Sequence, residues 1–551
     1  MRRFVQCADQ YCLFATLVPL PGTVPCLFGW SPKAPPSAHR VTGRQDTLPP
    51  PRRTAVLASN TLGARLLRRK PVSTLIAESE GRDLPAGAPG EGGRSGIHLR
   101  RSIGLWQLSA IGIGATIGTG IFFVLGSAVP QAGPAVILSF VIAAVTAGLT
   151  ALCYAEMASA IPVSGSSYSY AYATLGEGVA FGVGICLLME YGVSASAIAV
   201  SWAEYLNKFL DLAFGFKIPQ QLSGAPDSTH WFNLPALLLV AMICFLLIRG
   251  VSESVKVNAA MVGIKILILL LFVGVALTGF HSGNLTPFMP LGIGGVQMAA
   301  SSIFFSFIGL DAVSTAGEEV KNPRRTMPMA IIVSLVVVTL LYVLVALAGI
   351  GAQPWTGFKD QEAGLAQIMQ DITGQSWPAM IFAVGAIISI FSVTLVVIYG
   401  QTRILYSMGR DGMLPKRFAQ LSPRTGTPVW NTLVVGVGVG ALAAFIPLDV
   451  LADITSLGTL IAFSVVSIGV IVLRRTQPDL PRGFKVPGYP VVPLVSVGFC
   501  AYLITGLHAD TFRAGAIALV VAVAVYFGYS IKHSRLERAE RQGVPAGTDA
   551  G

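Results

Sequence analysis

The sequence predicts an all-α polytopic membrane protein of about twelve transmembrane helices, and three observations carry that expectation. Charged residues are 12% of the 551 and hydrophobic ones 53%, with a mean hydropathy of +0.67; a soluble domain carries about 25% charged residues. Apolar runs long enough to cross a bilayer as a helix recur along the chain. They fall near 105–127, 134–157, 178–203, 233–248, 259–280, 296–317, 328–352, 377–402, 429–446, 451–473, 490–507 and 514–531. Basic residues also segregate by side. With the N-terminus inside, the inner loops and ends from residue 100 onward hold twenty Lys and Arg, including Arg249, Arg324, Arg325, Arg410 and Arg474. The outer loops hold four: Lys208, Lys217, Lys359 and Arg513. This asymmetry puts both termini in the cytoplasm of a multi-pass cell-membrane protein. It also accounts for the net charge of +11, so the basic balance calls for no nucleic acid partner.

Residues 1–98 differ in kind. PPPRR, LRRKP and GAPGEGG are rich in Pro, Arg and Gly and show no helical period. This leader reads either as a disordered extension or as the product of a start placed too early. No Met lies between Met1 and Met157, so a later start, just before RRKPVSTL, would need a non-ATG codon. The transporter domain is expected over 99–535, with a cytoplasmic tail at 536–551. Cys153, Cys186, Cys244 and Cys500 lie singly in the spans and Cys7, Cys12 and Cys26 in the leader, a spacing that suggests neither metal nor disulfide framework.

The first span reads IGIGATIGTGIF at 111–122. No charge interrupts it from Trp106 to Val129, yet Gly112, Gly114, Gly118 and Gly120 are poor helix formers and Thr116 and Thr119 bond readily to backbone. Gly114-xxx-Gly118 is also a close-packing pattern. The sixth span, QMAASSIFFSFIGLDAVSTAG at 297–317, places Gly309 and Asp311 at mid-run. Two interrupted spans, five apart, point to an inverted-repeat transporter with its substrate at the midplane. There, freed N–H groups face a carboxylate and freed carbonyls an ammonium.

Five blocks then carry a family resemblance: GATIGTGIF (114–122), YAEMASAIPVSGSSYSYAY (154–172), LMEYGVSASAIAVSW (188–202), FFSFIGLDAVSTAGEEVKNPRRTMP (304–328) and YGQTRILYSMGRDGMLP (399–415). In order and over most of residues 100–490, they resemble the amino acid–polyamine–organocation superfamily, in the bacterial branch similar to cationic amino acid transporters. The resemblance implies two inverted five-helix repeats plus two extra helices, the first and sixth helices being discontinuous. It implies import of amino acids, commonly with protons. Thr116, Ile117, Gly118, Thr119 and Gly120 would bind the substrate's α-carboxylate and α-ammonium. Phe305, Ser306 and Ile308 would supply carbonyls and the pocket wall, with Phe305 as an aromatic gate.

Buried charges mark the remaining candidates. Lys265 lies in AMVGIKILILLLF of the fifth span, where a central lysine costs about 2.5–3.5 kcal/mol on insertion scales. Snorkelling would relieve that cost; the resemblance instead has this lysine reach the broken first span and carry the coupled proton. Glu190 lies near mid-depth in the third span, and the resemblance places it by the substrate cavity. Asp311 follows the sixth-span break, where a carboxylate can cap the second half-helix. Glu156, beside Pro162 and Gly165, reads as a gate or loop anchor, as do EEVKNPRR (318–325) and RDGMLPKR (410–417).

Other function classes find no support. The sequence has no phosphate-binding loop, metal-ligand spacing or nucleophile elbow, which argues against a pump or an enzyme. No repeated pore loop suggests a channel. A nutrient sensor on the same scaffold would need an output region, and the leader is the only candidate. The expectation is a secondary active transporter, with an amino acid exchanger or nutrient sensor on the same scaffold as the alternative, whose partners are an amino acid, protons and the lipid bilayer, with no cofactor or metal.

Overall fold

The computed structural model describes residues 62–80, 103–118, 120–163, 165–250, 255–359, 361–423 and 425–541. Thr119, one of the expected binding residues, lies outside them. Helix follows helix, because a chain in lipid must satisfy its backbone N–H and C=O groups internally. Two short helices, α1 (Leu62–Leu66) and α2 (Val72–Glu80), fall within the stretch read from sequence as a leader. Helices shorter than about 12 residues need packing to persist, and here the buried Val72 and Leu75 provide it.

The apolar runs fold in order. α3 (Leu105–Thr116) and α4 (Val124–Ala132) share the first run, and α5 (Val136–Ala160) takes the second. A buried corner helix, α6 (Ser166–Thr174), leads into the 38-residue α7 (Glu177–Phe214). α8 (Leu234–Ile248) starts where the Asn233 side chain accepts a hydrogen bond from the Ala236 N–H at 3.1 Å, a cap that stands in for the missing turn. α9 (Val255–Thr278) holds the fifth run, and α10 (Gly292–Phe304) and α11 (Ala312–Thr315) divide the sixth. α12 (Pro323–Ala352) opens on a proline, which lacks the N–H that a first turn cannot use. Beyond it come α13 (Gly364–Thr373), α14 (Ser376–Arg410), α15 (Val429–Phe445), α16 (Leu448–Thr476), α17 (Val491–Ile504) and α18 (Ala509–Val525). Two short helices, α19 (Ile531–His533) and α20 (Arg535–Arg541), complete the described chain.

Among the described residues, eight helical stretches are long and apolar enough to cross a membrane, with α8, α15 and α17 as shorter apolar helices. The protein is an all-α, multi-pass membrane protein. Its long α7 is interior: it packs on α14 and α16, and its GVSASAIAVS segment is almost wholly buried. Small side chains let helix backbones approach closely where lipid offers no hydrophobic drive to association. By contrast, Leu238, Phe245, Val437, Leu494, Ile517 and Val520 are exposed on α8, α15, α17 and α18, the faces suited to lipid.

Candidate substrate site

The first run stops being helical at Ile117, whose backbone is extended (φ −72°, ψ 111°). Gly118 follows at φ +118°, a conformation closed to most L-residues. A Cβ there would lie 2.8 Å from Val393 Cγ2 of α14. In the sixth run α10 gives way to a tight turn at Phe305–Phe307, then to extended Ile308 (φ −64°, ψ 144°) and Gly309 at φ +99°.

These two segments meet backbone to backbone. A Cβ on Gly309 would sit 2.8 Å from the Ala115 carbonyl oxygen and 3.2 Å from the Thr116 nitrogen. A Cβ on Gly120 would strike Ser306 and come within 2.9 Å of Phe305 Cδ1. Side chains of any size would therefore drive the segments apart. Ile117, Phe305, Ser306 and Ile308 are all buried around the crossing, and the Phe305 ring lies against Phe123 with centroids 5.4 Å apart.

The last carbonyls of a helix have no partner within it, and at the end of α3 other helices supply them. Lys265 of α9 donates from Nζ to the Gly114 carbonyl at 2.8 Å. It is only 1% exposed, so its side chain turns inward rather than snorkelling. Tyr342 of α12 donates to the Thr116 carbonyl, also at 2.8 Å, and presents its ring edge-on to Phe307, centroids 5.5 Å apart. A cation suits this position, since the C-terminal end of a helix carries partial negative charge. Sequence reading missed Tyr342. Its only signal is a hydroxyl in the apolar run LLYVLV.

On the far side of Gly118, α14 presents Ser389 and Ser392, whose hydroxyls have no hydrogen-bond partner among the described residues. Tyr342→Phe would remove the hydrogen bond to the buried Thr116 carbonyl, at a cost of about 0.5–1.5 kcal/mol. The variant is expected to melt several degrees lower in detergent than the wild type; an unchanged Tm would mean that the bond contributes nothing.

Two carboxylates lie beyond the crossing. Asp311 stands immediately before α11, at its N-cap position, but its side chain makes no capping hydrogen bond. Its carboxylate accepts from the Tyr191 hydroxyl at 3.0 Å and the Ser166 hydroxyl at 3.3 Å, groups that arrive from α7 and α6. Glu190 is fully buried, and neither carboxylate oxygen meets a hydrogen-bond donor among the described residues; the nearby Thr459 hydroxyl donates to the Thr455 carbonyl instead. The Tyr154 hydroxyl, beside a small cavity that Asp311 also lines, is likewise without a partner.

Glu156 belongs to a different place. It is gripped by Arg474 through Nε at 2.7 Å and Nη2, by the Val486 N–H at 2.7 Å and by Arg482 at 3.5 Å. It thus fastens the end of α5 to the end of α16 and the following loop. The structure brings together Thr116, Ile117, Gly118, Gly120, Phe305, Ser306, Ile308 and Lys265. Glu156 stands apart, and Glu190 makes no hydrogen bond to the crossing.

A buried crossing of two non-helical segments in a multi-pass membrane protein is the kind of place where a carrier binds its solute. The family model for amino acid permeases matches residues 103–531, and the chain belongs to that family. It is 42% identical over 477 residues to the branched-chain amino acid permease BcaP of Bacillus subtilis (strain 168), a match covering 86% of this chain and 99% of that one. The methylthioribose transporter of the same organism matches at 42% over 476 residues, 86% of this chain and 99% of the relative. The vacuolar cationic amino acid transporter 4 of Arabidopsis thaliana matches at 37% over 388 residues, 69% of this chain and 64% of that protein. This protein is a secondary transporter that moves amino acids across a membrane.

Proposed function

We propose that the permease imports an amino acid with an apolar side chain, drawn by a proton gradient. The observation that carries this reading is the backbone crossing with Lys265 on the Gly114 carbonyl. The substrate's carboxylate would face residues 118–122 ahead of α4, and its ammonium the carbonyls at the end of α3 and of the Phe305–Ile308 turn. Thr119 belongs to the same segment and would share this role. Ile117, Ile308, Phe305 and Val393 make the surroundings apolar, and two relatives matching most of this chain are branched-chain permeases. Glu190, whose carboxylate oxygens meet no donor among the described residues, is not counted among the substrate contacts in this reading.

The architecture we infer has twelve spans, α3 with α4 forming the first and α10 with α11 the sixth. Packing of α5 on α12, α7 on α14 and α8 on α15 supports inverted repeats, since each pair lies five spans apart. The positive-inside asymmetry sets both termini in the cytoplasm. An impermeant thiol reagent applied to intact cells is then expected to reach cysteines introduced at 204–232 and 353–376; labelling in the 474–489 loop instead would reverse the orientation.

A competition panel of all amino acids in proteoliposomes tests the substrate. Leucine, isoleucine and valine are expected to compete best. Preferential competition by arginine and lysine would overturn the assignment and return Glu190 to the substrate pocket.

A further inference from the structure

Residues 62–76 are bound into one end of the transporter by charges and backbone that the substrate site does not use. Lys70 is buried, and its ammonium lies 3.3 Å from Asp411, just past the end of α14. The Tyr168 hydroxyl of α6 donates to the other oxygen of that carboxylate at 2.9 Å. Two backbone bonds run beside this pair: Lys70 N–H to the Tyr172 carbonyl at 3.1 Å, and Glu177 N–H to the Arg68 carbonyl at 2.8 Å. Arg68 also reaches Glu537 of α20 at 2.7 Å, while Ser534 donates to Glu177 at 3.0 Å. Leu66 and Leu67 lie directly on Gly176 and Gly178 at the start of α7.

The segment is linked through α6 to the sixth run. Ser166 of α6 donates to Asp311 at 3.3 Å, and Ser314 of α11 donates to Ser166 at 3.0 Å. The stretch after α11 is paired in turn with the start of α3: Ile103 N–H bonds to the Glu319 carbonyl at 3.0 Å and Lys321 N–H to the Ile103 carbonyl at 2.9 Å. Any swing of α11 and α3 that opens a path from the crossing must pull on α6, and α6 is held by the segment around Lys70. A match covering 86% of this chain, as with the Bacillus relatives, must begin before residue 99, so these alignments extend upstream of the first span.

We propose that residues 62–76 are a latch that holds the carrier closed at this end and must let go of α6 and α7 in each transport cycle. That this end faces the cytoplasm rests on the orientation proposed above; the latch itself does not. Burial pushes the Asp411 carboxyl up, but Lys70, Arg410, the Tyr168 hydroxyl and Arg535 outweigh burial and hold it below the usual carboxylate range. A lowered value means that the anchor is at full strength above the unfolded carboxylate's range and weakens only as pH falls through the lowered value.

Leu66 Cβ lies 3.6 Å from where a Gly178 Cβ would be, within the separation a disulfide spans. In the full chain, with its seven cysteines replaced by alanine, L66C/G178C is expected to lose at least tenfold in leucine counterflow when oxidised and to recover with a reductant. Leucine binding should stay unchanged. Counterflow requires no proton gradient, so the result stands whether or not coupling to protons does. Full counterflow with the bond formed would overturn the latch. Loss of binding together with counterflow would overturn it too, by making the segment a support of the site. A second arm removes both buried charges at once, Lys70→Met with Asp411→Asn. Maleimide labelling of an Ala312→Cys reporter should rise several-fold, and unchanged labelling would count against release.

Discussion

Lys265→Met is expected to abolish amino acid accumulation driven by a pH gradient while substrate exchange persists. The buried Lys265 Nζ donates to the carbonyl end of α3 at Gly114, a position where the helix's partial negative charge suits a cation. Under the proposed proton coupling, binding a proton would fasten α3 to α9 and losing it would free the helix end. Methionine keeps the stem but neither charge nor donor. Lys265→Arg should fail as well, because guanidinium stays protonated at any working pH and would leave the helix permanently fastened. Uptake into proteoliposomes with an imposed pH gradient, with and without sodium, measures both variants. Full gradient-driven uptake by Lys265→Met would remove the lysine from coupling and make Glu190 the next group to examine.

Gly309→Val should be the most damaging single change at the crossing, and Gly118→Val and Gly120→Val should follow it. Valine at 309 combines a disfavoured positive φ, costing roughly 1–3 kcal/mol, with a Cβ pressed onto the Ala115 carbonyl. That neighbour is backbone, so it cannot rotate away. At Gly120 the obstacles are Ser306 and the Phe305 ring, which yield only by moving the turn at Phe305–Phe307. Binding of labelled leucine to purified, folded protein is expected to fall below detection for Gly309→Val and by at least a hundredfold for Gly120→Val, several kcal/mol in all. Wild-type affinity in a folded Gly120→Val variant would reduce that glycine to helix packing.

The sequence alone determined the membrane class. Low charge, long apolar runs and helix-breaking glycines are local properties, and a bilayer makes them decisive by forbidding unsatisfied backbone. The same logic made 114–122 and 304–311 readable as places where backbone is freed for another use. Lys265 was legible for a related reason, as a charge too costly to bury idly.

Only the tertiary structure decided which partner each polar group takes. Lys265 and Tyr342 converge on α3 from two helices, 151 and 226 residues away from their acceptors. Asp311, expected as a helix cap, takes the Tyr191 and Ser166 hydroxyls instead, and Glu156, expected as a gate or loop anchor, is held by Arg474 at the end of α16 and Arg482 of the loop beyond it. The segment at 62–76 shows the limit most plainly. Its helices are too short to leave a periodic trace, and the residue that anchors Lys70 lies 341 positions along the chain. Periodicity reports a helix's own apolar face. A short segment held by a distant buried charge has almost no such face, so its place could be set only by the surface it docks on.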